Sequence, residues 1–377
     1  MSELFLTLIH PFPIQKKSVL QRSDLAEIKS LGITHNLFQL VCSQLKKYEL
    51  LFTPQELVKD FLEESKGLYL KNIVRSMQQE AVEREVITLL RKKGIPSVVI
   101  KGNALATEIY NDPNCRACCD IDILIKSSDI PRVDSILTEA GYTRNDEISL
   151  KFWVHRLHHA IYYHPVSNDI IEVHWNFGIP SFFRLSSEDI WNEVVHEEPV
   201  KLRLTPELLI IMLLMHHHMH SFRELRILVD ILWSLYKYEE TINWHLFVSK
   251  MRKAGLIKTT LISLYQIQSV WEEASKEIKS IQMLQEETKN KGFRIPKYLT
   301  SSSKMNIYSE NTPNIYRDKI ITRLALDRWS TILFSYFKTL FPVPEAIKEL
   351  YGDKRKWMLP FNYLRFIKWR VKEWASR

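Results

Sequence analysis

Cysteine is scarce, with four residues in a chain of 377, and three of them (Cys115, Cys118 and Cys119) crowd into one short segment while Cys42 stands alone. The two paired clusters of a zinc ribbon are missing, so that kind of site is excluded and a reduced, intracellular thiol state is the simplest expectation. Long apolar runs are lacking too. The strongest, residues 208–215, falls far short of the roughly 20 residues a membrane span needs and runs straight into histidines. The N-terminus, MSELFLTLIHPFP, has no basic start, too short an apolar stretch and two early prolines, so it does not read as a secretory signal. Internal repeats and low-complexity tracts are absent, which sets aside a repeat architecture. A soluble, cytoplasmic, globular protein is expected, because 45% hydrophobic and 11% aromatic content suits a folded core at this length.

What is present begins with charge. A net charge of +8 and a pI near 9.1 favour anionic partners, such as nucleotides or anionic lipid, by raising their local concentration. No specific nucleic acid is expected from a small basic excess spread along the chain.

Residues 1–80 read as a helical N-terminal region, with segments at 24–31, 36–48 and 54–64 separated by Gly and Pro. A long helix then runs towards Lys93, since Val82, Val86, Leu89 and Leu90 recur at helical spacing and Gly94 supplies a stop. SVVIKG reads as a buried strand and NALATEIY as a helix beginning after Gly102, making a strand–glycine–helix corner. DIDILIK is the next strand, and Ser128 is expected to cap a helix ended by Gly141. Strands at 159–164 and 169–175 flank a Ser167-Asn168-Asp169 turn and predict a hairpin. These segments imply an α+β fold: residues 81–204 form a small mixed sheet with helices on one side, between large helical N-terminal and C-terminal additions. After it, Thr205 caps and Pro206 opens an apolar helix, and Ser221 with Glu224 reads as a capping box for a second helix over about 222–238. Residues 205–285 are thus helical, 286–303 a linker or loop, and 304–377 a basic helical C-terminal region.

Chemistry concentrates in two of the strands. In Asp120-Ile121-Asp122 the two carboxylates project from one face of a strand while Ile121 and Ile123 face the core. Carboxylates held that close repel unless a cation lies between them, so the pattern predicts Mg²⁺ or Mn²⁺ with phosphate oxygens completing its shell. Glu172, in IIEVHW on a neighbouring strand, is placed to add a third carboxylate as metal ligand or general base. Gly102 and Asn103 open a helix directly after a strand, where backbone N–H groups hold phosphate, and Lys101 adds a cation nearby.

The stretch VIKGNALATEIYNDPNCRACCDIDILI followed by IEVHW resembles the uncharacterised nucleotidyltransferase family of the DNA polymerase β-like superfamily. The resemblance covers about residues 80–240, and more loosely the C-terminal FPVPEAIKELYG. It implies a minimal nucleotidyltransferase-like core, a phosphate corner at Gly102 and Asn103, and an acidic triad of Asp120, Asp122 and Glu172. Two departures stand out: Asn103 replaces the usual Ser or Gly, and the loop from there to Asp120 is longer than in most members. The resemblance also implies a substrate-shaping role for the helical region after the core, which makes His174, His216, His220, Arg226 and Asp230 candidates.

Several features carry weaker signals. Arg116 precedes the aspartates and its guanidinium suits a β- or γ-phosphate, with pairing to Asp112 as the plain alternative. His216 and His220 lie one helical turn apart, yet no HExxH glutamate stands between them, so packing beneath the site is favoured over zinc. Arg226 and Asp230 are also one turn apart and are expected to pair with each other. The clustered cysteines read as small buried thiols. The tail KRKWMLPFNYLRFIKWRVKEWASR interleaves basic and aromatic residues, which suits either packing on the body or an anionic membrane surface.

The function expected from the residues and the resemblance is transfer of a nucleoside monophosphate from an NTP to a hydroxyl of a peptide, glycan or small molecule, with pyrophosphate released. Two rivals remain: a DxD-type glycosyltransferase using a nucleotide sugar, and a catalytically inactive nucleotide-binding module.

Overall fold

A computed structural model describes residues 2–145, 157–197, 201–289, 315–342, 344–352 and 355–375. The chain opens with three helices, α1 (Glu3–Ile9), α2 (Arg22–Thr34) and α3 (Phe38–Lys47), whose Phe5, Leu8, Ile28, Leu40 and Leu45 are fully buried. A two-residue parallel pair, β1 (Ser18–Val19) with β2 (Phe52–Thr53), ties the cap together.

The segments expected at 54–64 and towards Lys93 are one helix, α4 (Gln55–Lys92), of 38 residues. Gly67 does not break it: a Cβ there would meet open space, so the glycine sits on a solvent-facing turn at a cost of about 1 kcal/mol relative to Ala. The reason the helix continues lies in its two apolar patches. Val58 and Phe61 are buried with the N-terminal helices, whereas Val82, Val86 and Leu90 are buried under the sheet.

The sheet contains β3 (Ser97–Val99), β4 (Asp120–Ile125), β5 (Thr143–Arg144), β6 (His159–Tyr163) and β7 (Ile170–His174), in the order β3-β4-β7-β6-β5. Only β4 and β7 pair in parallel; the others are antiparallel, and β6–β7 is the predicted hairpin. Asn168 takes the left-handed turn position with φ 57°, a conformation asparagine tolerates. Two helices follow strands in the core, α5 (Gly102–Tyr110) after β3 and α6 (Ile130–Glu139) after β4. Ser128 does not cap α6: a 3-10 turn over Ser127–Asp129 comes first, and Asp129 stands at the cap position.

Helices cover both faces of this sheet rather than one. Ile121, Ile123 and Ile125 pack with Val82 and Val86 of α4 and Val133 and Leu137 of α6, while Leu124 and Val98 join the larger core shared with α5. Strand alternation explains it, because Leu124 lies on the same side as the two aspartates and needs apolar cover of its own. Burying each such side chain contributes roughly 1.5–3 kcal/mol, which holds β4 in register and so aims Asp120 and Asp122.

Beyond the sheet come α7 (Ser187–Trp191), a hairpin of β8 (Val194–Glu197) and β9 (Lys201–Leu204), and α8 (Pro206–Met219), capped by Thr205 as expected. The helix α9 begins at Leu225 and ends at Lys237, so the Ser221–Glu224 capping box does not form. Ser221 and Phe222 instead turn through φ 56° and 59°, driving the fully buried Phe222 ring against Ile262 and Ile321. Burial of the phenyl group wins over the local cap, which is worth only about 1 kcal/mol. Then follow α10 (Trp244–Ala254), α11 (Ile257–Val270), α12 (Glu272–Lys276) and α13 (Lys279–Lys289). Residues 286–289 of the expected linker are thus helical, and 290–303 lie outside the described residues.

The C-terminal region holds α14 (Ile315–Leu324), α15 (Trp329–Leu340), α16 (Pro344–Tyr351) and α17 (Leu359–Ala375). Phe366 is buried, with its ring 5.9 Å from that of Trp369, whereas Trp357, Phe361, Leu364 and Trp369 are exposed. Among the described residues, no helix is long and apolar enough to cross a membrane.

Candidate active site

The parallel register sets Asp122 directly opposite Glu172 on β7, and the antiparallel register of β6 sets His159 opposite His174. Alternation then brings Asp120, Asp122, Glu172, His174 and His159 to one face of three adjacent strands. Asp120, Glu172, His174 and His159 line a cavity of about 270 Å³ together with Lys101, Arg116, His216, His220 and Arg226, while Asp122 is buried among them.

Asp122 is the hub of this face. It is almost wholly buried, and its Oδ1 accepts from the Lys101 ammonium and from His174 Nε2 at 2.8 Å. The same imidazole nitrogen lies 3.1 Å from Glu172 Oε2. Burial alone would raise the Asp122 carboxyl, but Lys101 and His174 hold it well below the usual carboxylate range. Glu172 is also lowered: burial, the largest single effect, raises it, but the bond and charge of His174 and the charge of His159 together outweigh that. Asp120 behaves oppositely: burial first, and the Asp122 charge second, push its carboxyl up. Uncompensated negative charge therefore collects at Asp120.

Two observations bear on whether a divalent cation fits. Asp122 Oδ2 is buried with no hydrogen-bond partner, and ligand atoms of Asp122, Glu172 and His174 all lie within 4.8 Å of one another. An unsatisfied buried carboxylate oxygen is costly, and a cation is what that donor set accommodates. The close trio differs from the expected acidic triad: His174 takes the third place, and Asp120 faces the same cavity from outside the trio.

The phosphate corner is only partly brought to the cavity. Gly102 has φ +64°, a left-handed value that glycine adopts without strain. Lys101 lines the cavity, yet its ammonium is spent on Asp122 in a buried ion pair. The Asn103 side chain turns away to α4, accepting from Ser76 Oγ at 2.7 Å and donating to the Ser76 carbonyl at 3.1 Å. Asn103 instead lines a second hollow of about 570 Å³ beside α4, β3 and β9.

Arg116 and Asp230 form a different unit from those expected. Arg116 Nε donates to Asp230 Oδ2 at 3.1 Å, Tyr110 donates to Asp230 Oδ1 at 2.6 Å, and all three side chains are buried. Asp112 does not take Arg116; it caps the turn at Pro113–Cys115. Arg226 does not pair with Asp230 either, because its guanidinium donates to the Ala117 carbonyl at 2.8 Å and lies 3.6 Å from Glu224. Asp230 already has its counter-charge in Arg116, and Arg226 finds its own partners in the Ala117 carbonyl and Glu224.

The histidine run divides by helix face. His217 and His218 point into the core, bonded to Ser263 and Thr259, while His216 and His220 meet edge to face at 4.4 Å at the cavity edge. Neither His216 nor His220 belongs to a three-ligand metal group among the described residues. The cysteines are free thiols: Cys115 is buried, with its thiol pushed up to about 12 by burial, whereas Cys119 is exposed.

His158 and His159 are site residues that the sequence reading passed over. The signal was present, because positions 159 and 174 are equidistant from the hairpin turn and so face each other across it.

Among curated proteins and among solved structures, nothing matches the chain. A family model described as an uncharacterised nucleotidyltransferase matches residues 21–272, about two-thirds of the sequence. That range takes in α2 and α3, which the resemblance over 80–240 had left out, and ends before FPVPEAIKELYG. With its sheet, its acidic strands and this match in agreement, the chain belongs to the uncharacterised nucleotidyltransferase family.

Proposed function

We propose that this chain transfers a nucleoside monophosphate from an NTP to a hydroxyl of a peptide, glycan or small-molecule acceptor. The acceptor oxygen bonds to the α-phosphorus, the bond from that phosphorus to the bridging oxygen breaks, and pyrophosphate departs with the electron pair. Asp120, Asp122 and Glu172 would hold Mg²⁺ or Mn²⁺. Such an ion supplies charge stabilisation on the phosphate oxygens and orients the attack. Glu172, which lines the cavity with 19% of its side chain exposed, would receive the hydroxyl proton. Arg226 gives the opposite wall a positive charge, and the Gly102 corner lies beside Lys101 for the triphosphate.

The observation carrying this reading is the orphaned Asp122 Oδ2 beside Glu172 on the adjoining strand. The test is metal-dependent pyrophosphate release from each NTP with candidate acceptors, reading the mass added to the acceptor. Asp120→Asn and Asp122→Asn should each reduce release to background while circular dichroism stays native, and retained turnover in both would end the assignment. Release of UDP or GDP from a sugar nucleotide would favour the glycosyltransferase instead.

One observation favours a second reading, a nucleotide-binding module without turnover: the Lys101 ammonium already neutralises Asp122. Tight NTP binding with no product would support it. A subsidiary proposal concerns the C-terminal surface, where exposed Trp357, Phe361 and Leu364 lie beside exposed Arg365 and Lys368. That combination suits the headgroup layer of an anionic membrane.

A further inference from the structure

We infer that His158, His159 and His174 form an imidazole site for a borderline transition cation such as Zn²⁺ or Co²⁺, next to the carboxylate site and chemically distinct from it. Each of the three offers a ring nitrogen within 4.8 Å of the other two. The three rings are mutual neighbours, with centroids 4.4 Å apart for His158–His159, 5.0 Å for His159–His174 and 5.7 Å for His158–His174. The backbone places them there: His159 and His174 are register partners across the hairpin, and the His158 carbonyl accepts from the Trp175 N–H at 2.9 Å.

Three features point to a ligand rather than to packing. First, the Nδ1 atoms of all three rings are buried and have no hydrogen-bond partner among the described residues. Orphaned buried polar atoms are rare and call for an explanation, and here three belong to one cluster. Second, the far side of the cluster is built as metal-binding histidines are built. His174 turns Nε2 to Asp122 and Glu172, and His159 Nε2 lies 3.9 Å from Glu172 Oε1. A carboxylate on one ring nitrogen orients the imidazole and raises the basicity of the other. Third, His158, His159 and His174 all line the cavity, so the cluster adjoins a space open to small solutes.

Imidazole nitrogen selects zinc, cobalt or copper over magnesium, which prefers oxygen. Three protein ligands also leave a coordination position free for water or a substrate oxygen. The inference does not rest on the nucleotidyl-transfer reading, because its two outer ligands, His158 and His159, have no part in that reading.

The test uses the full chain, stripped with a chelator and titrated with Co²⁺ without nucleotide, following ligand-field absorption and equilibrium dialysis. One Co²⁺ per chain is expected, displaced by Zn²⁺ and not by excess Mg²⁺. The double substitution His158→Gln/His159→Gln should weaken Co²⁺ binding at least roughly tenfold and remove the absorption bands. His159→Gln alone should weaken it in the same direction if the double variant does not fold. Asp120→Asn should retain Co²⁺ binding, so a failed nucleotidyl-transfer reading would leave this site standing. A wild-type chain that takes no Co²⁺, or a folded double variant that binds it as tightly as wild type, overturns the inference.

Discussion

Two sets of buried polar groups lie close together and are built on opposite principles. Beneath the cavity, Asp230 is claimed by Arg116 and Tyr110, His217 by Ser263 and His218 by Thr259. At the candidate site, Asp122 Oδ2 and the Nδ1 atoms of His158, His159 and His174 find no hydrogen-bond partner among the described residues. His217 also keeps one ring nitrogen without a partner among the described residues, but it joins no three-ligand group there and sits against the ring of Phe222. Satisfaction marks the groups that hold the fold, and convergent deficit marks the groups available to a ligand.

The contrast breaks most severely if the closed set is opened. Asp230→Ala leaves the Arg116 guanidinium buried without its counter-charge, which typically costs about 3–5 kcal/mol. Urea unfolding should show that loss, and a change below about 1 kcal/mol would remove Arg116–Asp230 from the structural set.

Acid sharpens the contrast next. Burial lowers His217 and His218 to about 3 from 6.5, so between those values the unfolded chain binds more protons than the folded one. Stability should therefore be intact above about pH 6.5 and fall as pH drops towards 3, at up to about 1.4 kcal/mol per pH unit for each histidine. Thermal melts from pH 7 to pH 4 read the slope, and His217→Gln should flatten it.

The open set predicts a smaller effect of reversed sign. Because the native state disfavours ionised Asp120, Asp120→Asn should raise the melting temperature of metal-free protein slightly, by the equivalent of roughly 1 kcal/mol or less, while abolishing turnover. A lowered melting temperature would mean that Asp120 is held by bonds instead of strained by repulsion. Smallest is the membrane effect. Arg365→Glu with Lys368→Glu should reduce cosedimentation with anionic vesicles and leave neutral vesicles unaffected, and equal binding to both would remove the charge from the argument.

The fold and site were legible to different depths. Strand alternation around Asp120 and Asp122, the Gly102 corner, the hairpin turn and the Thr205 cap are local patterns, and each stands where the sequence placed it. What failed were pairings that depend on distant residues. Nothing near Arg226 shows that Asp230 is already held by Arg116, 114 positions away. Nothing near Ser221 shows that Phe222 will be pulled into a pocket made by Ile262 and Ile321. The conspicuous HHHMH run drew the eye to metal, whereas the convergent imidazoles come from two inconspicuous strands whose meeting needs the hairpin register.

One more consequence follows from α4. A helix of 38 residues measures roughly 57 Å, and its Ser76 grips Asn103 at the start of α5. The N-terminal helices and the glycine corner are therefore fastened to a single rod. Any force that slides or tips the far end of that rod arrives at the start of α5 as a displacement of Asn103, giving the cap mechanical leverage over the glycine corner.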